Sequence, residues 1–207
     1  MRLGSEKAVE LLESQTLIQR TVSGLYGFGQ ETIVVTAPGK TMLGMESFPK
    51  VRLVQDAVPG KGPLVGIYSG LLASKSPLNL IVACDMPFLN IRLLSYMVGQ
   101  AGGSEAVVPR FGGLVEPLHA IYSRSCLSAA LELINNNVFA VSKLLNRIKV
   151  RYIEETEINR FDPGHMSFFN INRPEDLRKA KLLISKRQDE ELDHRLSFRT
   201  AIKESLS

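Results

Sequence analysis

The chain has 207 residues, of which 44% are hydrophobic and 22% are charged. This balance is typical of a globular domain with one sizeable core, and it excludes a disordered tail, a collagen-like fibre and a protein of low-complexity repeats. The formal net charge of +4 suits an anionic substrate without requiring a nucleic acid as partner.

Helices and strands are predicted to alternate through the first part of the chain. Apolar residues recur at helical spacing over residues 7–25, which predicts an amphipathic helix. The β-branched run over residues 32–36 and a shorter run over 51–54 predict two buried strands. Pro63 stands at a favourable first position for a helix over residues 63–74, because its missing N–H would have no partner there.

The same alternation continues toward the C-terminus. Strands are predicted over residues 78–84, 106–108, 118–122, 150–153 and 168–171, and helices over 90–100, 124–135 and 141–147. Gly112 and Gly113 predict a hairpin turn, and Asn172 is predicted to cap a last helix, with Glu175 three residues later. Together these elements predict an α/β protein with a mainly parallel sheet.

One domain is predicted over residues 1–185, followed by a charge-rich and loosely attached tail over 186–207. The apolar run over residues 80–84 is too short to span a bilayer, and the first residues carry no apolar signal segment. Cys84 and Cys126 lie far apart in the sequence, which favours reduced thiols over a disulfide or a cysteine-based zinc site. We therefore expect a cytoplasmic protein with no membrane or nucleic acid partner.

Two acidic residues follow predicted strands, and in an open α/β sheet ligands bind beyond the carboxyl ends of the strands. Asp56 follows the strand over 51–54, and Asp85 follows the strand over 78–84. A carboxylate in such a cleft is a suitable ligand for Mg²⁺, whereas a single Asp is also a common turn residue or helix cap. Two of them at one sheet edge favour a functional site.

Other polar residues add to this picture. The loop over residues 59–63 is rich in glycine and leads into a helix, so its backbone N–H groups and the helix N-terminus are suited to an anion. Lys7 is suited to bind a phosphate as a point charge. A helix cap accounts for Asn172, whereas Asn170 has no predicted structural task.

Four segments together resemble the MobA-like nucleotidyltransferase family, and within it most closely the molybdenum cofactor guanylyltransferases. The segments are RLGSEK at 2–7, DAVPGKGPL at 56–64, CDMPFL at 84–89 and FNINRPEDL at 169–177. They occur in the family's order and extend over almost the whole predicted domain. The segment EPLHAIY at 116–122 also looks like the family's second-substrate strand.

The resemblance implies a Rossmann-like, three-layer nucleotidyltransferase fold. The family transfers GMP from GTP to the terminal phosphate of molybdopterin cofactor, releases pyrophosphate and uses Mg²⁺. If the roles of the family's residues are carried over to the matching positions of this sequence, the nucleotide would be bound by Arg2, Lys7, Thr36, Asp56, Gly62 and Asp85. Lys7 and Asp85 would be the catalytic residues, with Mg²⁺ on Asp85, and Asn170 and Asn172 would face the second substrate. The expected substrates are GTP and molybdopterin cofactor, and molybdoenzymes or their chaperones are candidate partners.

The chain departs from the family at its start. The family opens with a β-strand and a Leu-Ala-Gly-Gly-x-x-x-Arg loop, whereas this sequence begins at the position of that Arg. The family's first strand is therefore expected to be absent, which would leave its neighbouring strands without a hydrogen-bond partner. Either Met1 is an internal methionine of a longer protein, or the gene is a degenerate copy. The retention of Lys7, Asp56 and Asp85 favours the first interpretation.

Two other functions stay open at this point. The same fold carries molybdopterin cytidylyltransferases and sugar-phosphate nucleotidyltransferases, although the segment Gly62-Pro63-Leu64 favours guanylyl transfer. A non-catalytic binding module that keeps the fold is the alternative of a different class if the first strand is truly missing.

Overall fold

A computed structural model of the chain describes residues 7–39, 44–45, 48–58 and 60–186, and for Lys7 only the backbone. The strands are β1 Leu11–Leu12, β2 Gln15–Thr16, β3 Thr32–Thr36, β4 Val51–Gln55, β5 Leu78–Val82, β6 Ala106–Phe111, β7 Leu114–Val115, β8 His119–Ser123 and β9 Val150–Glu154. The helices are α1 Leu17–Gly24, α2 Pro63–Ala73, α3 Ile91–Gly99, α4 Cys126–Asn135, α5 Val141–Leu145, α6 Glu155–Ile158 and α7 over residues 174–186. Apart from two segments, each predicted helix and strand is present, with its ends shifted by a few residues.

The described part of the chain holds two further features that bear on the predictions. None of its helices is long and apolar enough to cross a membrane. Cys84 and Cys126 are not joined in a disulfide, and burial raises the pKa of the Cys126 thiol to about 12. Apart from Lys186, the predicted tail lies outside the described residues.

The strands form a five-stranded sheet, a separate parallel pair and a short hairpin. In the large sheet β8 lies between β5 and β6 and is antiparallel to both. The strand β6 also pairs with β9, in parallel, and with the short β7, in the antiparallel direction. The separate pair consists of β3 and β4, which are parallel. The predicted α/β class is confirmed, and the pairing is mixed because the antiparallel β8 is inserted between β5 and β6.

Helices cover both faces of the five-stranded sheet, and the side chains of its central strands alternate between two cores. Val108 of β6 and Tyr122 of β8 pack with α2, α4 and α5 on one face. Val107 and Ile121 point to the opposite face, where they pack with α3 and Phe168. This alternation produces the three-layer arrangement that the resemblance implies.

The predicted hairpin is present, and it contains an irregular corner. Gly112 and Gly113 both have positive φ, of 55° and 76°, which a tight two-residue turn between strands requires. The turn joins β6 to the short β7, and three residues then separate β7 from β8. At this corner the Glu116 N–H donates to the Pro109 carbonyl at 3.0 Å, so Glu116 is held beside the sheet edge.

The predicted helix over residues 7–25 is wrong in its first half. That half is a 3-10 turn followed by the β1–β2 hairpin, and Glu13 has a left-handed φ of 60° where the chain reverses. The helix begins only at α1, where a capping box fixes its start. The Gln19 N–H donates to Thr16 Oγ1 at 3.3 Å, and the Thr16 N–H donates to Gln19 Oε1 at 2.9 Å.

The predicted strand over residues 168–171 is also wrong. Met166–Phe168 forms a 3-10 turn, and the residues after it have no regular structure. The helix that follows begins at residue 174, which places its N-cap at Arg173, one residue later than predicted. The Asp176 carboxylate caps this end, because it accepts from the N–H groups of Asn172 at 3.0 Å and Arg173 at 2.8 Å.

A cavity of about 660 Å³ lies between the two main sheets. It is lined by β3 on one side and by β5 on the other, with α1 and α2 above and below. Within the described ranges, β3 pairs only with β4, and β5 pairs only with β8. Among the described residues, no strand lies between β3 and β5.

Asn90 holds the loop after β5 in place, and its replacement is expected to destabilise the fold. Its Oδ1 caps α3 by accepting from the N–H groups of Arg92 and Leu93 at 3.0 and 3.1 Å, and its Nδ2 donates to the Phe161 carbonyl at 2.8 Å. We expect Asn90→Ala to lower the free energy of unfolding by roughly 2 kcal/mol, measured by urea denaturation.

Asn90→Ser is the matched variant, because serine is also a favourable N-cap residue and lacks the amide donor to Phe161. Its loss should be smaller than that of the alanine variant, since the cap alone contributes about 1 kcal/mol. A loss for Asn90→Ala no larger than that of an ordinary surface substitution would contradict this account.

Candidate functional site

The carboxyl ends of β3 and β4 form the first part of the site. Thr36 is buried, at 5% exposure, and lies opposite Gln55 in the parallel register. The Asp56 N–H donates to the Thr36 carbonyl at 2.8 Å, so the backbone extends the ladder by one bond beyond the strands. Two residues predicted to contact the nucleotide are thereby adjacent.

The Asp56 carboxyl group is directed toward α2. Burial raises its pKa, and a hydrogen bond with Ser69 opposes that rise. Its Oδ1 is buried and has no hydrogen-bond partner within the described residues. Gly66 of α2 lies beside this oxygen, since a Cβ added to it would be 3.9 Å away, at ordinary van der Waals distance. An unpaired buried acceptor of this kind is suited to a donor from a ligand.

The glycine-rich loop leads from Asp56 into α2, as predicted. Gly60 and Gly62 have positive φ of 72° and 91°, a conformation that favours glycine. Gly62 occupies the N-cap and Pro63 the first turn, so no side chain caps this end of the helix. Lys61 turns away to lie over the Phe139 ring, with its Nζ 5.2 Å from the ring centroid. The exposed backbone of this loop is compatible with an anion.

Asp85 lies in a turn directly after β5. Its backbone oxygen accepts from the Ile171 N–H at 2.9 Å. The preceding carbonyl, that of Cys84, accepts from Thr21 Oγ1 at 3.2 Å, which ties the turn to α1. The position of Asp85 is therefore fixed from two sides by elements distant in the sequence.

The bond to Ile171 brings the two predicted asparagines to the same region. Asn170 and Asn172 flank Ile171, and both line a second cavity of about 540 Å³ at the start of α7. The remaining lining is charged and comes from Arg173, Glu175, Asp176 and Lys179. Asn170 also has a structural task that the sequence did not predict, because its Nδ2 donates to the Phe168 carbonyl at 3.3 Å.

Glu116 is a neighbour of Asp85 that sequence reasoning did not include among the site residues. Burial raises the pKa of its carboxyl group, and the negative charge of Asp85 raises it further. The two carboxylates are therefore close enough to repel each other electrostatically. Glu116 belongs to the segment over 116–122 that resembles the family's second-substrate strand, and this resemblance could have identified it from the sequence.

The structure thus gathers the predicted residues into two groups. Thr36, Asp56 and Gly62 lie along the ends of β3 and β4, and Asp85, Asn170 and Asn172 lie around the end of β5. The backbone of Lys7 lies in the 3-10 turn Lys7–Val9, and Arg2 lies outside the described residues. Among the described side chains there is no group of three or more His, Cys, Asp or Glu residues suited to hold a metal ion.

Comparison with known proteins agrees with this geometry. Residues 1–150 match the MobA-like NTP transferase domain. A protein of Pelotomaculum thermopropionicum named a probable molybdenum cofactor guanylyltransferase is 32% identical, over 88% of this chain and 87% of its own length. A molybdenum cofactor guanylyltransferase of Desulfosudis oleivorans is 31% identical, over 87% of this chain and 88% of its own.

Solved structures give the same result. Molybdopterin-guanine dinucleotide biosynthesis protein A of Archaeoglobus fulgidus superimposes with a TM-score of 0.76 and 29% identity, over 88% of this chain and 92% of that one. A cytidylyltransferase of Thermus thermophilus, which acts on 2-C-methyl-D-erythritol 4-phosphate, shares the fold at 19% identity and a TM-score of 0.66, over 89% of this chain and 100% of that one. With its matching domain, its relatives and its three-layer fold, the chain belongs to the MobA-like NTP transferase family.

Proposed function

We propose that this chain transfers GMP from GTP to the terminal phosphate of molybdopterin cofactor and releases pyrophosphate. The observation that carries the proposal is the hydrogen bond from the Ile171 N–H to the Asp85 carbonyl. This backbone bond joins Asp85, which the resemblance assigns to the nucleotide, to the segment that holds Asn170 and Asn172, which it assigns to the second substrate. The names of the two relatives support the same reaction. A cytoplasmic location, with molybdoenzymes or their chaperones as recipients of the product, is part of this proposal.

On the nucleotide side the proposal uses the ends of β3 and β4. Thr36 and Asp56 would contact the base or ribose, and a hydroxyl or N–H group of the nucleotide would satisfy the buried Asp56 Oδ1. The backbone at Gly62 would face the phosphates, because a helix N-terminus favours negative charge. Lys7 and Arg2 would add positive charge at the same place, as the resemblance implies.

Asp85 is the proposed ligand of Mg²⁺, and the chemistry of its surroundings fits that ion. Mg²⁺ is commonly held by one or two carboxylates together with phosphates of the substrate. The negative charge of Asp85 raises the pKa of Glu116, so a cation between the two groups would relieve their repulsion. When bound, the ion would neutralise charge on the triphosphate and on the departing pyrophosphate.

The reaction needs no nucleophile from the protein. An oxygen of the acceptor phosphate forms a bond to the α-phosphorus of GTP, and the bond from that phosphorus to the bridging oxygen breaks. The electron pair of the broken bond leaves with pyrophosphate. The chain has to hold two anions in line and reduce their repulsion, which the ends of β3, β4 and β5 and the segment over 170–172 are placed to do.

The choice of base provides the direct test. With GTP, CTP and ATP at equal concentration, we expect the rate of pyrophosphate release to be at least roughly tenfold higher with GTP. The release should require molybdopterin cofactor, so a reaction without the acceptor is the control. Equal rates with GTP and CTP would refute guanylyl transfer and would favour a cytidylyl or sugar-phosphate nucleotidyltransferase.

A non-catalytic binding module is the second candidate function, and one observation favours it. The cavity lies beside β3, which ends at Thr36, and β5, which Asp85 follows, so these two strands have less support than a continuous sheet would give them. The same assay separates the two functions. Saturable GTP binding without pyrophosphate release from any nucleotide, at any Mg²⁺ concentration, would identify a binding module.

A further inference from the structure

Ser69 is a buried serine in the middle of α2, and it faces the turn that follows β4. It is 3% exposed and lies on the same face of the helix as Gly66, the residue beside Asp56 Oδ1. Serine is a weaker helix former than alanine, so a buried serine inside a helix favours a polar role for its hydroxyl. That role is found at Asp56 and Ala57, the two residues directly after β4.

The Ser69 hydroxyl has two partners, which together fix the direction of its proton. The Ala57 N–H donates to Ser69 Oγ at 3.0 Å. Asp56 forms a side-chain hydrogen bond with the same hydroxyl. An ionised carboxyl group can only accept, and a hydroxyl has a single proton to donate, so the Ser69 proton points to Asp56.

This bond gives the two oxygens of the Asp56 carboxyl group different surroundings. Oδ1 is buried and has no hydrogen-bond partner within the described residues, so the Ser69 hydroxyl serves the other oxygen, Oδ2. The last side-chain torsion of an aspartate is otherwise broad. With Oδ2 held by Ser69, the carboxyl group keeps one orientation, and Oδ1 stays directed away from the bond as an open acceptor.

The basic residues nearest to Asp56 in the sequence do not take this role. Arg52 pairs with Glu31 at 3.1 Å, and Lys61 lies over an aromatic ring. Burial raises the pKa of the Asp56 carboxyl group, and the hydrogen bond with Ser69 lowers it. A donor to the ionised form favours that form, so Ser69 favours the state in which Asp56 accepts hydrogen bonds.

We propose that Ser69 is a positioning residue for nucleotide recognition. By holding one oxygen of the Asp56 carboxylate, it directs Oδ1 at a donor of the nucleotide, which is either a ribose hydroxyl or the amino group of guanine. Ser69 itself does not touch the nucleotide. The inference rests on the proposed role of Asp56 in binding GTP, and it adds that α2 sets the direction of that contact.

Ser69→Ala tests the inference through the Kd for GTP, measured by isothermal titration calorimetry. We expect the Kd to rise roughly fivefold to tenfold, because the carboxyl group can then rotate and the ionised form loses a donor. Ser74→Ala is the matched control. Ser74 ends the same helix, is 4% exposed and accepts from the Ser76 N–H at 3.1 Å. It should lower the Tm by a similar amount and leave the Kd for GTP unchanged.

Two further measurements distinguish positioning from a general loosening of the fold. Ser69→Ala should weaken GTP binding in the unchanged chain but have little further effect in Asp56→Ala, because a residue that acts through Asp56 then has nothing to direct. The pKa of Asp56, followed by carbon-13 NMR of its carboxyl group, should be higher in Ser69→Ala and unchanged in Ser74→Ala.

Three analogues of GTP identify the donor that meets Oδ1. Inosine triphosphate lacks the amino group of guanine, and 2′-deoxy-GTP and 3′-deoxy-GTP each lack one ribose hydroxyl. We expect Ser69→Ala to reduce the preference for GTP over the analogue that lacks the donor, and to leave the other preferences unchanged. Unchanged preferences over all three analogues would overturn the inference.

Failure of the inference and failure of the proposed function give different results. A Kd for GTP that rises in Asp56→Ala but not in Ser69→Ala would overturn the inference and leave the proposed function standing. A Kd that Asp56→Ala does not change would overturn the nucleotide role of Asp56 and the inference with it. An equal loss of affinity from Ser69→Ala in the unchanged chain and in Asp56→Ala would leave Ser69 a structural role only, which also overturns the inference.

Discussion

Replacing Asp85 by asparagine is expected to lower kcat for GMP transfer by roughly 100- to 1000-fold while leaving the fold intact. The carboxylate is the proposed Mg²⁺ ligand, and an amide oxygen carries no charge to hold the ion against the triphosphate. The side chain of asparagine has nearly the same shape, and the backbone bond from Ile171 does not involve the side chain. Pyrophosphate release measures the first effect, and the Tm measures the second.

Glu132→Gln is the matched control for this experiment. It also neutralises one carboxylate, but Glu132 pairs with Arg147 on the surface of α4, at 2.7 Å and with 63% of its side chain exposed. Its activity should equal that of the unchanged chain. Full transfer activity in Asp85→Asn, with GTP and molybdopterin cofactor at saturation, would refute both the metal and the nucleotide role of Asp85.

Glu116→Gln separates the two carboxylates near this turn. If Glu116 shares the field of the bound ion, its neutral variant should require more Mg²⁺ for half-maximal activity while kcat at saturating Mg²⁺ changes less than in Asp85→Asn. If kcat fell as much as in Asp85→Asn, Glu116 would contribute as much as Asp85 to holding the Mg²⁺ ion.

The main strands and helices could be predicted because their local signals agree with their tertiary surroundings. The run over 32–36 is β-branched and is buried between two helices, and Pro63 lies in the first turn of α2. The segment over 7–25 failed because apolar residues at helical spacing also occur in a hairpin with a reversed residue at Glu13. Its Leu12 is fully buried against α1 and α7, a contact that no local pattern reveals.

The segment over 168–171 failed for a different physical reason. The Asp162 carboxylate accepts from the N–H groups of Met166 at 3.0 Å and Ser167 at 2.7 Å, which bends the chain into a 3-10 turn. An acidic residue several positions earlier thus overrides the apolar run. Among the site residues, Glu116 was missed because the pairing of β5 with β8 is what brings it near Asp85. The register of that pairing is set by tertiary structure and cannot be read from the local sequence.

Acidification is expected to unfold the protein through His119, the second large effect. The His119 ring is fully buried, and neither of its nitrogens has a hydrogen-bond partner within the described residues. The Phe168 ring lies 4.9 Å away, centroid to centroid. Burial lowers the pKa of His119 to about 4, and the charge of Asp162 opposes this only in part. The folded state therefore holds the neutral ring, while the unfolded chain binds a proton at its ordinary pKa.

The sign follows from linkage. The pKa is lower in the folded state, so the stability is complete above the ordinary value near 6.5 and is lost as the pH falls from there toward 4. Between pH 7.5 and pH 5 we expect the free energy of unfolding to drop by about 2 kcal/mol from this group. Urea denaturation at a series of pH values measures the slope.

His119→Leu should remove most of that slope, because leucine has a similar volume and no proton to bind. His165→Asn is the control, because His165 is partly exposed and its left-handed φ of 51° is one that asparagine tolerates. The His165 Nε2 is hydrogen-bonded to Asn159 Oδ1 at 2.7 Å, unlike the buried ring of His119. This control should keep the slope of the unchanged chain. An unaltered slope in His119→Leu would mean that carboxyl groups, and not the buried imidazole, govern acid unfolding.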